Sequence, residues 1–371
     1  MDRTKVISSA NRVVIKVGSS LLLKDDKVDF SFVERLARDI ATLFWKGKEV
    51  ILVSSGAIGM GRKELQVEKR LDAIPPKQAL ASVGQTHLMN LYYRVFQKYH
   101  LPIGQVLLSA SDLSRRSSYL NARNTLFTLL KLKVLPIVNE NDTVAVEEIK
   151  FGDNDTLSAL VAGLVDANLL LIFSDIEGLY TADPKKNPQA RLIKEVKQID
   201  KHIERVAKAA SVEGRVGGMR TKIKAAKIAT RFGIPVIIGG GKNFLEDVFC
   251  AREVGTFFFP QKKHLASRKR WIAYGHSPKG KLIVDQGAKK ALMEEGGSLL
   301  PAGIIEIRGN FEAGESVSLL DEDGKEFARG IVYYSAKELE KIKGVKSSLI
   351  EKHLGYKYSD EVIHRDNLVI L

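Results

Sequence analysis

The chain has 371 residues, 44% hydrophobic and 27% charged, a balance that excludes general disorder and leaves room for two or three domains. No apolar run approaches the roughly 18 residues of a membrane-spanning helix, no signal-like stretch opens the sequence, and the one cysteine, Cys250, excludes an intrachain disulfide and suits a reducing cytoplasm. The net charge of +14 is uneven: residues 1–277 carry 44 basic and 28 acidic side chains, residues 278–371 carry 14 and 16, so any long-range attraction for nucleotides or RNA belongs to the first part.

Along that first part, short apolar runs alternate with helical patterns. Arg12 to Val17 is a β-branched run ending in Gly-Ser-Ser, and Phe32, Val33, Leu36, Ile40, Leu43 and Phe44 recur at helical spacing until Gly47. Val50 to Val53 predicts a second buried strand, followed by Ser-Ser-Gly. A long helix is expected from about Lys77 to Tyr99 behind Pro75-Pro76. Further strands GQVLLSA, VLPIVNE, LLLIFSD and PVIIGGG alternate with helices from about Asn121, from Asp155 and over about Lys222 to Phe232. Such alternation predicts a mainly parallel sheet covered on both faces, with ligands beyond the carboxyl ends of its strands. A basic stretch, 264–279, reads as a linker. Beyond it lie a strand (KLIVD), a short helix (QGAKKALMEEG), a strand (IIEIRG) and a hairpin turning at Asp323-Gly324, the pattern of a small, mainly β domain.

Several chemistries have no place here. There is no GxSxG elbow, no His/Cys/Asp set with zinc spacing, and GAIGMGRK lacks the Lys-Ser/Thr ending of a Walker A loop. What stands out sits at strand ends. Lys16 interrupts an apolar strand, where an unpaired ammonium is costly to bury; the alternative is a lysine reaching out at a sheet edge. Glycine turns follow the strands at Gly18, at Ser54 to Gly59 and at Gly217-Gly218, each either a simple turn or a place where backbone N–H groups approach an anion. Lys222, in GGMRTK, is by itself only a surface lysine at a helix start. NEND (139–142) closes one strand and GDND (152–155) opens the next helix; a helix cap accounts for one of these residues, Asn154 or Asp155, but not for all of them. Ser174-Asp175 has the character of a nucleotide contact. Cys250 is expected to be a buried thiol without chemistry.

Together, VVIKVGSS, VSSGAIGMG, ASVGQ, LNARNT, VNENDTVAVEEIKFGDNDTLSALVA, SDIEGLYTADPKKNP and GGMRTKIKAAKIA resemble the glutamate 5-kinases, a branch of the amino-acid kinase superfamily. VDQGAKKAL, GGSLLPAGI and GNFEAGESV resemble a PUA domain. The resemblance implies a three-layer α/β/α sandwich over residues 1–263 and a small PUA-like barrel over 280–371. It implies ATP-dependent phosphorylation of the γ-carboxylate of L-glutamate, with Mg2+, as the first step of proline synthesis. It also implies feedback inhibition by proline, a homo-oligomer (dimer or tetramer) and a cytoplasmic location, with RNA binding open through the PUA-like part.

Carried over by position, Lys16 and Lys222 are expected at the transferring phosphate, with Asp155 orienting both. Ser55, Asp142 and Asn154 match glutamate-binding positions, Asp142 for the α-amino group and Asn154 for the carboxyl groups. Lys16, Ser174 and Asp175, with Val216, Gly217, Gly218, Met219, Arg220, Thr221 and Lys222, match ATP-binding positions. Val216 replaces the family's usual threonine, which a backbone contact survives and a hydroxyl contact does not; Ser174 replaces a common threonine and keeps the hydroxyl. The alternatives are another amino-acid kinase, acting on acetylglutamate, aspartate or carbamate, and an RNA-binding protein. The NEND–GDND pair and the PUA-like tail weigh against the first. The slight negative charge of residues 278–371 weighs against the second.

Overall fold

In the computed structural model, an eight-stranded sheet is built around β1 (Arg12–Val17), whose five inner residues are all buried. The structure describes residues 2–24, 27–67, 73–109, 112–113, 116–144, 154–184, 187–209, 218–261 and 278–371. The expected linker falls almost wholly outside them, as do Val216, Gly217 and the first two residues of GDND. The chain divides into two compact units: residues 1–112 with 119–264, and residues 265–371 with the short piece 113–118.

In the first unit, α1 (Arg3–Ser9) precedes β1. Then come α2 (Ser19–Leu22), the small ribbon β2 (Leu23–Lys24) and β3 (Lys27–Val28), α3 (Phe30–Trp45), β4 (Glu49–Ser54), α4 (Ala57–Glu64) and α5 (Ile74–Gln97). β5 (Ile103–Leu108), α6 (Arg116–Lys131), β6 (Leu135–Glu140), α7 (Asn154–Leu164), β7 (Leu169–Phe173), β8 (Glu195–Val196) and α8 (Lys201–Ala209) follow. The unit closes with α9 (Met219–Arg231), β9 (Val236–Gly239), α10 (Phe244–Phe249) and β10 (Thr256–Phe258). The sheet order is β5-β6-β4-β1-β7-β9-β10-β8. Six strands are parallel; β10 runs antiparallel to β9 and parallel to β8.

The sequence explains this sheet. Runs such as VVIKV and LLLIF have no polar face, so both of their faces must be covered. Side chains alternate along β1. Val13, Ile15 and Val17 enter a core shared with α1, α3, α4, α5 and α10. Val14 and Lys16 therefore face the other layer, where α7 and α9 pack. Lys16 pairs in register with Val53 of β4 on one side and Ile172 of β7 on the other. It lies in the middle of the sheet, which removes the edge-lysine alternative. The chain moves outward from β1 to β4 and on to the edge strand β5, returns to β6 between β5 and β4, then crosses to β7 on the far side of β1. That switch point is where an open α/β sheet leaves a crevice at its carboxyl end.

The second unit holds β11 (Gly280–Val284), α11 (Gln286–Glu294), β12 (Ile304–Gly309), β13 (Ser316–Leu320), β14 (Glu326–Ile331), α12 (Ala336–Ile342), α13 (Ile350–Leu354) and β15 (Leu368–Ile370). Its sheet order is β12-β11-β13-β14-β15, with β11 and β13 parallel and the other pairs antiparallel. The expected hairpin is present, with Gly324 at φ 76° in its turn. The mainly β expectation holds, and an antiparallel bridge between Leu299 and Ile363 links the chain ahead of β12 to the chain ahead of β15. A capping box at Ser335 and Glu338 starts α12.

One expectation fails outright. Cys250 is exposed, not buried. It is the C-terminal cap of the six-residue α10, whose Phe244, Leu245 and Val248 face the core, and that register turns residue 250 to solvent.

Candidate active site

Lys16 leaves the sheet near the end of β1, while α7 and α9 both start beside the strand ends. At the start of α7, Asp155 is 1% exposed, Lys16 4% and Lys222 6%, so all three charges lie out of water. The Lys16 ammonium is 2.5 Å from Asp155 Oδ1, and the Lys222 ammonium 3.3 Å from Oδ2. The Thr221 hydroxyl lies 2.6 Å from Asp155 Oδ2 and 2.8 Å from the Gly218 carbonyl oxygen, and can donate to either. Burial pushes the Asp155 carboxyl up, but the two lysines outweigh it and hold the group below the usual carboxylate range. Burial, against the pull of Asp155, holds the Lys222 ammonium below the ordinary lysine value, and Lys16 adds like-charge repulsion.

Two ammonium groups and one carboxylate leave a net charge of about +1 in a buried place. Such a charge is costly unless an anion completes it. The surroundings favour an anion further. α9 follows Gly218, an N-cap residue that makes no side-chain cap hydrogen bond, and the helix's positive end lies beside Lys222.

A second branch of the site is neutral. The Asn154 amide nitrogen donates to Ser55 Oγ at 2.9 Å and approaches Asn139 Oδ1 at 3.4 Å. Asn139 Nδ2 donates to Gln85 Oε1 at 2.8 Å, and the Glu140 N–H donates to Asn139 Oδ1 at 2.9 Å. Ser55 is held at the end of β4 by its N–H to the Val17 carbonyl, 3.2 Å. The next residue, Gly56, sits at φ 111°, a left-handed conformation that glycine adopts without strain, and it starts α4.

The structure thus joins Lys16, Asp155, Lys222 and Thr221 in one group and Asn154 and Ser55 in another. The two meet because Asn154 and Asp155 are neighbours on α7. Asp142 lies half-buried in the turn after β6. Ser174 is buried at the end of β7, its hydroxyl 3.4 Å from Asp175 Oδ1 and accepting from the Ile176 N–H at 3.4 Å; Asp175 is exposed. Met219 is buried and Arg220 exposed on the first turn of α9. Val216 and Gly217 lie outside the described residues. Sequence reasoning missed Gln85 and did not single out Asn139. Gln85 falls on the buried stripe of α5 that Ala81, Leu88 and Tyr92 also occupy, and an amide on an apolar stripe was the signal available.

The amino acid kinase family matches residues 11–240 and the PUA domain matches residues 280–354. The glutamate 5-kinase of Syntrophotalea carbinolica is 48% identical over 99% of both chains. That of Geobacter sulfurreducens is 48% identical over the full length of both. The chain belongs to the glutamate 5-kinase branch of the amino acid kinase family. That membership accounts for the strand-end turns, because they fall within the matched segment. The glutamate 5-kinase of a Thermoanaerobacter species, 47% identical over 97% of this chain and 98% of its own, matches both units as well. A carbamate kinase from Giardia lamblia bound to AMP-PNP is a distant likeness, at TM-score 0.48 and 16% identity over 68% of this chain and 99% of its own.

Proposed function

We propose that this chain transfers the γ-phosphoryl group of ATP to the γ-carboxylate of L-glutamate, giving ADP and L-glutamyl 5-phosphate, the first step of proline synthesis. The observation that carries the reading is the buried, net-positive Lys16–Asp155–Lys222 group at the switch point of the sheet. The family relationship supplies the substrates.

No general base is needed, because the attacking carboxylate is already ionised at pH 7. The obstacle is repulsion between two anions and the charge carried by the moving phosphoryl group. Donors fixed in advance answer it. Lys16 and Lys222 hold the phosphoryl oxygens while a bond forms from the carboxylate oxygen to phosphorus and the bond from phosphorus to the ADP oxygen breaks. Asp155 fixes both ammonium groups, and Thr221 fixes Asp155. The amino end of α9, from Gly218 through Arg220, carries the nucleotide's phosphates, with Ser174 and Asp175 toward its ribose or base. Asp142, Asn154 and Ser55 take glutamate.

Mg2+ would be held mainly by the phosphate oxygens of ATP and would supply positive charge there. Among the described residues no group of three His, Cys, Asp or Glu side chains comes together to hold a metal ion. Feedback inhibition by proline, a homo-oligomer and a cytoplasmic location are supported by the family relationship alone. RNA binding is supported by the PUA match and opposed by the slight negative charge of residues 278–371.

ATP-dependent capture of glutamyl phosphate with hydroxylamine tests the reading. Hydroxamate is expected with L-glutamate and not with aspartate or N-acetylglutamate. Product from either control instead of glutamate would assign the chain to another amino-acid kinase activity.

A further inference from the structure

The neutral branch has a direction that one backbone group fixes. The Glu140 N–H can only donate, and it donates to the Asn139 side chain at 2.9 Å. That atom must therefore be the oxygen. Asn139 then presents its nitrogen to Gln85, so the facing atom of Gln85 must be its oxygen, 2.8 Å away. Asn154 faces the same Asn139 oxygen, and Ser55, with its nitrogen. The Glu140 N–H thus fixes the orientation of all three amides.

Two buried atoms of opposite character are left over. Gln85 Nε2 and Asn154 Oδ1 have no hydrogen-bond partner among the described residues. The first is a donor and the second an acceptor, and leaving both unpaired is costly. Glutamate offers a carboxylate and an ammonium on the same α-carbon, the complementary pair. The γ-carboxylate must lie at the lysines, so the α-carbon end falls to the amide branch. Gln85 is also held firmly. Beside it, a Cβ on Gly84 would stand 1.7 Å from the Ala57 carbonyl oxygen, so the glycine lets α5 sit directly on α4.

We infer that Gln85 is a specificity-determining residue whose Nε2 donates to the α-carboxylate of glutamate, while Asn154 Oδ1 accepts from the α-ammonium. This rests on the proposed glutamate kinase activity. It also revises the role expected of Asn154: its nitrogen is engaged by Ser55 and Asn139, so its oxygen suits the ammonium and not a carboxylate.

Two variants of the full chain separate this from a structural role. Gln85→Glu keeps an oxygen for Asn139 and replaces the unpaired donor with an anionic oxygen. Gln85→Met removes both. If Gln85 reads glutamate, Gln85→Glu raises the glutamate KM by about tenfold or more through like-charge repulsion, more than Gln85→Met does, and the ATP KM stays within about twofold. If Gln85 only supports Asn139, Gln85→Met is the worse variant in every kinetic parameter, and the inference is overturned. Glutamate KM values within about twofold of wild type in both variants overturn it as well. Should Gln85→Glu fail to fold, Gln85→Met decides: a raised glutamate KM with an unchanged ATP KM supports the assignment, and a parallel change in both contradicts it. Loss of the functional reading has a different signature, a wild-type chain that forms no hydroxamate from glutamate.

Discussion

The two branches of the site teach by contrast. The Lys16–Asp155–Lys222 branch is charged, buried and net positive. The Gln85–Asn139–Asn154–Ser55 branch is neutral and ordered by donors and acceptors. They share one turn of α7, yet they suit different tasks. Fixed charge in a place shielded from water stabilises a charge that moves, whereas a chain of amides with a set direction sorts ligands by where their own donors and acceptors lie. Changes in the first branch should therefore appear in kcat and stability, and changes in the second in the glutamate KM.

The largest effect belongs to Asp155. Asp155→Asn leaves two buried ammonium groups facing each other and should destabilise the fold by about 3–5 kcal/mol as well as cripple turnover, read by urea unfolding and kcat. The folded carboxyl lies below its ordinary value, so its stabilisation is present above about pH 3.9 and is lost as pH falls through the folded pKa. The stability gap between wild type and Asp155→Asn should thus be full at pH 7 and close only in strong acid. A gap already closed near pH 5 would contradict the pairing.

Lys16→Ala follows, with a fall in kcat of about a hundredfold to a thousandfold, on the order of 3–4 kcal/mol, in a protein that still folds. A folded variant with near wild-type kcat would remove Lys16 from the charged branch. Asp142→Ala tests the other side: the glutamate KM should rise by about tenfold with the ATP KM unchanged, and the reverse split would place Asp142 with the nucleotide. The smallest effect is a shift in pH. Burial lowers the Lys222 pKa, so the alkaline limb of kcat/KM for ATP should fall below the ordinary lysine value of about 10.4. A limb at or above that value would place the titrating group elsewhere.

The charged branch was legible because a charge cannot hide in an apolar run. Lys16 stands out in VVIKV, and the buried strands around it identify themselves by having no polar face. β8 and β10 were not legible. They have two and three residues, too few for any periodicity, and their pairing is made by partners distant in sequence. The open edge strand β15, three residues long, was missed for the same reason. Gln85 was hidden differently. An amide is unremarkable on a helix, and the residue that gives it direction is 54 positions away. Cys250 misled because cysteine is a commonly buried residue type, whereas here the register of a short helix turns it outward.

A crystal structure with ADP, glutamate and a metal-fluoride mimic of the phosphoryl group would test the central claim most directly. The account predicts the Lys16 and Lys222 ammonium groups on opposite sides of the mimic, each at about 2.7–2.9 Å from one of its ligand atoms, with Asp155 still touching both. A mimic bound away from both lysines, with the three charges paired only to one another, would contradict it.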